Sequence, residues 1–277
     1  MGYEPSPRPT FSEPTPIRAE DAVRHVWGDE EAGLVQDWIY VSSERIHAIV
    51  FGLAPGEAFR HSDSFRTVFA ADELLHVLQG TLVLANPETG EVVRAEPGES
   101  VFFRRDTWHH GFSYGGGDLR VLEFFAPPPS TGTSGAYART KPYLAESVYA
   151  DDRGLGRSLG PAETPSFRLL RPGDATWRLD PGVLVGVLVS TEHLTVATLR
   201  VLPGQSSAAE SHAGDEFLYV TAGQLRVVAG DIDAGLGPGD GFYVPAGVPH
   251  RYETSGPEIA EAILGVAPDY RAGDRSG

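Results

Sequence analysis

Apolar positions in this chain fall in short runs. D-W-I-Y-V-S (37–42), R-I-H-A-I-V-F-G-L (45–53), D-E-L-L-H-V-L (72–78), T-L-V-L-A (81–85), S-V-F-F (100–103) and L-R-V-L-E-F-F-A (119–126) are rich in β-branched, leucine and aromatic residues. Gly, Pro, Asn and Ser punctuate them. This texture predicts β-strands joined by tight turns. The N-P-E-T-G segment (86–90) between two apolar runs predicts a hairpin. The same texture restarts at Phe167 and continues to about Val266.

The second strand-rich half repeats the first. Pro55-Gly56 matches Pro203-Gly204, Asp72-Glu73 matches Asp215-Glu216, and Gly80 matches Gly223. Pro97-Gly98 matches Pro238-Gly239, and His109 matches His250. The Glu-to-Gly and Gly-to-His separations are the same in both halves, which predicts a duplicated all-β barrel. The expected organisation is an extended N-terminal arm (1–30), a first barrel (31–126), a Pro/Gly/Ser-rich linker (127–165) and a second barrel (166–277). Within the linker, 142–149 is a candidate short helix, and the polar tail 271–277 is expected to be disordered.

Candidate chemistry concentrates between Gly204 and His250. Glu210, His212 and Glu216 lie at even spacing, so an extended strand points them to one side. His250 arrives from a second strand that ends in a Pro/Gly turn. Imidazoles and carboxylates converging on one point suit a divalent metal ion. Chance is a poor account of the group, because buried charges are costly without a partner. Glu216 is also a candidate general base.

These residues resemble the two signature motifs of the cupin superfamily. Gly204, His212, Glu216 and Gly223 fit the first motif, with Glu210 where a histidine usually stands. Gly239, Pro245, Gly247 and His250 fit the second. The resemblance implies a bicupin: two double-stranded β-helix barrels, jelly-roll-like, in tandem, with metal and substrate in a barrel mouth. The Glu-x-His pair is similar to that of ureidoglycine aminohydrolase-type bicupins, which implies that the C-terminal barrel is the working one. That family has His where this chain has Glu216, and Gln where it has His250, so its reaction is not carried over.

The N-terminal half is less regular. Gly56 to Glu73 is five residues longer than Gly204 to Glu216. Counted forward from Gly56, the ligand positions fall on Ser62 and Ser64; counted back from Glu73, they fall on Thr67 and Phe69. His61, Glu73 and His109 form a weaker candidate for a second metal site, if the insertion bulges inward. His25, His47 and His193 read as structural, and His76, His110 and Tyr219 are expected to point away from the site.

Charge and composition narrow the partners. A net charge of −16 opposes binding to nucleic acid or an anionic membrane. There is no cysteine, so disulfides and thiolate ligands are excluded. No run approaches the roughly 18 apolar residues of a membrane span, and the N-terminus has no apolar signal region, so a cytoplasmic location is expected. The sequence reading is a metal-dependent enzyme acting on a small organic metabolite, first of all an Fe(II)-type dioxygenase. The alternatives are a non-oxidative metalloenzyme (hydrolase, isomerase, cyclase or decarboxylase) and a non-catalytic binding protein. One divalent ion per chain is expected, Fe(II) or Mn(II) ahead of Ni(II) or Zn(II). Sheet edges and the N-terminal arm suit pairing between subunits. A homodimer or higher oligomer is therefore expected on size-exclusion with light scattering, and a monomer at micromolar concentration would count against it.

Overall fold

A computed structural model describes residues 6–129, 135–150, 165–180, 182–254, 256–268 and 270. Its architecture is all-β. Each half folds a seven-stranded antiparallel sheet against a smaller one. In the N-terminal half the large sheet runs, edge to edge, Arg168–Leu170, Ser100–Phe103, Asp72–Gln79, Leu119–Ala126, His47–Leu53, Gly33–Ser42 and Val23–Asp29. In the C-terminal half it runs Thr15–Ile17, Gly241–Val244, Asp215–Ala222, Ala260–Ala267, Thr195–Val201, Val183–Ser190 and Thr176–Asp180. A four-stranded and a three-stranded sheet close the two barrels. Among the described residues no helix is long and apolar enough to cross a membrane.

Strand alternation explains the three cores. In Asp72–Gln79, Glu73, Leu75 and Val77 face the barrel interior, while Leu74 joins the layer between barrels. In Asp215–Ala222, Leu218 and Val220 face inward, while Phe217 and Tyr219 face outward. The two barrels thus pack back to back through the outer faces of their large sheets. Tyr40, Leu74, Phe102 and Phe124 of one meet Leu188, Val196, Phe217 and Ile263 of the other. Phe217 lies 5.4 Å from Tyr40 and 6.2 Å from Phe124, centroid to centroid. Gly265 makes room for this contact: a Cβ there would sit 2.5 Å from the Phe124 ring.

Three expectations need correction. The arm is not free to cross a partner from residue 15 onward, because Thr15–Ile17 pairs antiparallel with Gly241–Val244 of the C-terminal barrel. Arg18 clamps it there through Asp240, at 2.8 Å, and the Ala19 amide donates to the same carboxylate. Val23–Asp29 already belongs to the N-terminal barrel. Conversely, Arg168–Leu170 pairs with Ser100–Phe103 of the N-terminal barrel. Each half therefore covers an edge of the other's sheet, which removes an exposed pairing surface. In the linker, among the described residues, the α-helix is Gly135–Ala138; of 142–149 only the end is helical, in the 3₁₀ turn Val148–Ala150. The later segment is held by side chains: Leu144 O accepts from His61, and Tyr143 packs on the same imidazole. The tail 271–277 lies outside the described residues.

Since Phe217 is fully buried between the barrels, Phe217→Ala should cost about 3–5 kcal/mol. It should lower one cooperative thermal transition shared by both halves. Two separate transitions, with one unshifted, would show that the barrels unfold independently.

Candidate metal centre

Backbone pairing builds the C-terminal site. Glu210 and His250 exchange amide bonds, Glu210 N to His250 O at 2.9 Å and His250 N to Glu210 O at 2.8 Å. The Gly247 amide donates to His212 O at 2.7 Å, and Gly247 takes φ +79, which the turn needs and a side chain resists. Strand Asp215–Ala222 brings Glu216 inward from the neighbouring sheet. The donor atoms of Glu210, His212 and His250 lie within 4.8 Å of one another. Glu216 Oε2 lies 3.0 Å from His212 Nε2 and 3.4 Å from His250 Nε2.

Hydrogen bonding leaves part of this group unused. Neither ring nitrogen of His212 nor Oε2 of Glu216 makes a well-directed hydrogen bond, and Nε2 and Oε2 face each other at 3.0 Å as two potential ligand atoms would. Leaving such atoms unsatisfied is costly, and a divalent ion would take one ring nitrogen of His212 together with Oε2 of Glu216. The residues therefore fit a metal ion. Around them stand residues that sequence reasoning missed. Tyr252 donates to Glu216 Oε1 at 2.6 Å and lies 2.9 Å from His250 Nε2. Tyr270 stacks on His212 with centroids 4.6 Å apart, and Arg178 donates to the Tyr270 hydroxyl at 3.0 Å. Tyr252 had a signal, since it follows His250 by two residues on one strand and so shares its face. Tyr270 and Arg178 had none.

Electrostatics follow from burial and proximity. Burial opposes charge on His250, but the Glu216 carboxylate wins and raises it to about 9. Burial would raise Glu216, yet His250 and His212 hold it well below the carboxylate range. Burial, and then Glu216, raise Glu210. Tyr252 is pushed far up by burial and by Glu216, so its phenol keeps its proton.

The N-terminal barrel does not assemble its expected ligands. His109 Nε2 lies 3.8 Å from Glu73 Oε2, but His61 is elsewhere. Its Nδ1 meets His110 Nε2 at 2.6 Å, and its Nε2 donates to Leu144 O at 2.7 Å. The five-residue insertion turns outward, closed by Ser62 N to Phe65 O and by Ser62 Oγ to Asp29. Register counts back from Glu73: His109 N donates to Thr67 O at 3.1 Å, as His250 does to Glu210. Thr67 and Phe69 thus occupy the positions of Glu210 and His212, and neither suits a metal there. Among the described residues only Glu210, His212 and His250 bring three ligand atoms together. His110 faces away from Glu73, and His76 bonds Ser100 Oγ at 2.9 Å on the outer face. Of the histidines read as structural, His47 lies inside the N-terminal barrel with Nδ1 unbonded.

A family model for the cupin domain, Cupin_2, matches residues 50–125 and 197–266, once in each barrel. The chain belongs to the cupin family. Its two barrels make it a two-domain cupin, and solved structures share that architecture. A variant of oxalate decarboxylase from Bacillus subtilis superposes with TM-score 0.66 at 15% identity, over 96% of this chain and 80% of that one. Another structure of that enzyme was solved to assign its Mn(II) centres, with 16% identity, TM-score 0.66 and the same coverage. A putative glyoxylate-induced protein from Pseudomonas aeruginosa gives 0.67 at 15%, over 96% and 93%. At these identities the likeness is one of fold. Among curated proteins, SchB of Streptomyces halstedii is 34% identical over 74 residues, 26% of this cupin. That match spans about half of SchB, 52% of its length.

The His250–Glu216 pair predicts a pH window in metal-free cupin. His250, raised from 6.5 to about 9, contributes stability that is complete below pH 6.5 and lost as pH rises toward 9. Glu216, lowered, contributes stability present above its ordinary value of 4.5 and lost as pH falls below it. Chelator-treated protein should therefore owe most to this pair between pH 4.5 and 6.5. Thermal unfolding of wild type and Glu216→Gln should differ by on the order of 3 kcal/mol more near pH 5.5 than above pH 9.5. A pH-independent difference would remove the ion pair from consideration.

Proposed function

We propose that this cupin is a metal-dependent enzyme whose C-terminal barrel holds one divalent ion through Glu210, His212, His250 and Glu216. We further propose that it performs non-oxidative, proton-moving chemistry on a small organic molecule. The observation that carries the reading is the set of buried, unbonded donor atoms on His212 and Glu216, with a protonated phenol beside them. A bound ion supplies Lewis acidity toward a carbonyl or carboxylate oxygen, and redox chemistry if it is iron. Tyr252 is a positioning residue, because its O–H rests on Glu216 Oε1 and its environment keeps that hydrogen in place. Glu216 accepts that bond through Oε1, which leaves Oε2 directed at the ion site. Tyr270 and Arg178 cover His212 and limit water at the mouth. The structural likeness to oxalate decarboxylase is consistent with lyase-type chemistry, though only as fold-level analogy.

A second reading is the oxygenase predicted from sequence. Two imidazoles and a carboxylate on one side of a site are also the donor set of non-haem Fe(II) oxygenases. Metal analysis separates the two. Manganese, zinc or nickel near one equivalent, with turnover that consumes no O₂, is the expected outcome; iron with substrate-dependent O₂ uptake would replace it with the oxygenase. His250→Ala should lose most of the metal and His110→Ala should keep it. Tyr252→Phe should keep the metal and lower turnover by about 10–100-fold, by loosening Glu216. No metal after reconstitution would sink both readings.

A further inference from the structure

The N-terminal barrel holds a half-open cavity of about 100 Å³ that the metal reading does not use. Its walls include Trp27, Phe51, Phe59, Phe69 and Phe125. Its polar face comes from interior positions that differ sharply from the sister barrel. Strand register equates Asp37 with Val185, His47 with Thr195 and Glu123 with Leu264. The barrel without a complete ligand set therefore carries charge-bearing residues where the barrel with one is mostly apolar.

Asp37 and Glu123 line the cavity, and Glu73 bonds Glu123 from behind. Among the described residues no Lys or Arg pairs with any of the three carboxyl groups. Two further lining groups are buried and unbonded: Oγ1 of Thr67, a residue 2% exposed, and Nδ1 of His47, a residue 8% exposed. The lining guanidinium, Arg8, sits at the rim and is taken up by Ser42 Oγ at 3.1 Å and Ser43 O at 3.3 Å.

We propose that this cavity is a metal-independent binding site for a small protonated amine with an apolar body of about one aromatic ring. The volume suits one ring, judged against cavities known to hold benzene. An ammonium group pairs with Asp37 and Glu123 in their ionised form, and supplies N–H donors to Thr67 Oγ1 and His47 Nδ1. Aromatic faces add cation–π attraction. A neutral ligand would leave the carboxyl groups protonated, and an anion would find no counter-charge among them. Burial pushes Asp37 up to about 8 and raises Glu73 and Glu123 well above their usual range. Burial, with Arg8, lowers His47 to about 3, so it is neutral and can accept a hydrogen bond. Amine binding therefore expels protons from the carboxyl groups.

The test is calorimetric titration of the full chain at neutral pH with benzylamine, benzyl alcohol and benzoate. Benzylamine should bind at least about tenfold more tightly than benzyl alcohol, as charged hydrogen bonds imply. Benzoate should not bind. The benzylamine heat should depend on the ionisation enthalpy of the buffer, reporting proton release. Asp37→Asn should abolish the preference for the amine, and Glu123→Gln serves if the first variant fails to fold. Chelator treatment should change nothing, which separates this site from the C-terminal one. Equal affinity for benzyl alcohol, an unaltered Asp37→Asn, loss on chelation, or no binding of any probe at millimolar concentration would overturn the proposal.

Discussion

Two buried aspartates carry the arrangement. Asp215, beside Glu216, accepts from Ser43 Oγ at 2.8 Å in the opposite barrel, from Tyr243 Oη at 2.9 Å, and from the Ala246 amide at 3.1 Å. Asp72, beside Glu73, accepts from Thr191 Oγ1 of the opposite barrel at 2.7 Å and from Arg104 at 2.8 Å. The two clamps are equivalent under the internal repeat. Each fixes the strand that bears the interior glutamate by a bond from the other half. In the C-terminal half, the same carboxylate also holds the Pro245–Gly247 turn that precedes His250. Buried carboxylates of this kind are tolerated only because their acceptor positions are filled. The metal-ligand geometry is thus a property of the pair of barrels, not of one.

Duplication lets the halves divide their chemistry. The fold needs one inward face of each strand to be filled, but not with the same atoms. In the C-terminal barrel the polar groups sit at the mouth-side positions Glu210, His212, Glu216 and His250 over an apolar floor. In the N-terminal barrel Thr67 and Phe69 silence two of those positions, and acids appear deeper, at Asp37 and Glu123. Both interiors spend the same backbone on a different placement of polarity.

The fold was legible in the sequence because strand and turn signals are local and the repeat doubled them. Parity assigned Tyr219 and His76 to the outer faces, since a period of two leaves little choice once Glu216 is inward. The C-terminal candidates were legible for the same reason. Other features needed long-range pairing. The N-terminal insertion offered two registers, and only the His109–Thr67 backbone bond decides between them. The arm looked featureless because a three-residue strand carries almost no pattern. Yet its I-R-A-E-D-A (17–22) parallels L-R-P-G-D-A (170–175), so the repeat extended further than its glycines suggested. Asp37 and Glu123, single acids in apolar strands, are indistinguishable in one sequence from residues facing water.

The exchange of edge strands has a consequence for how this chain can be divided. Thr15–Ile17 completes the C-terminal sheet and Arg168–Leu170 the N-terminal one. A cut in the connecting segment would separate the halves in sequence but not in space, since each would still hold a piece of the other. An excised half would present a bare strand edge and the apolar back that Phe124 and Phe217 now share. The two barrels are bound as interlocked hands are, and the smallest unit of heredity for this architecture is the whole pair.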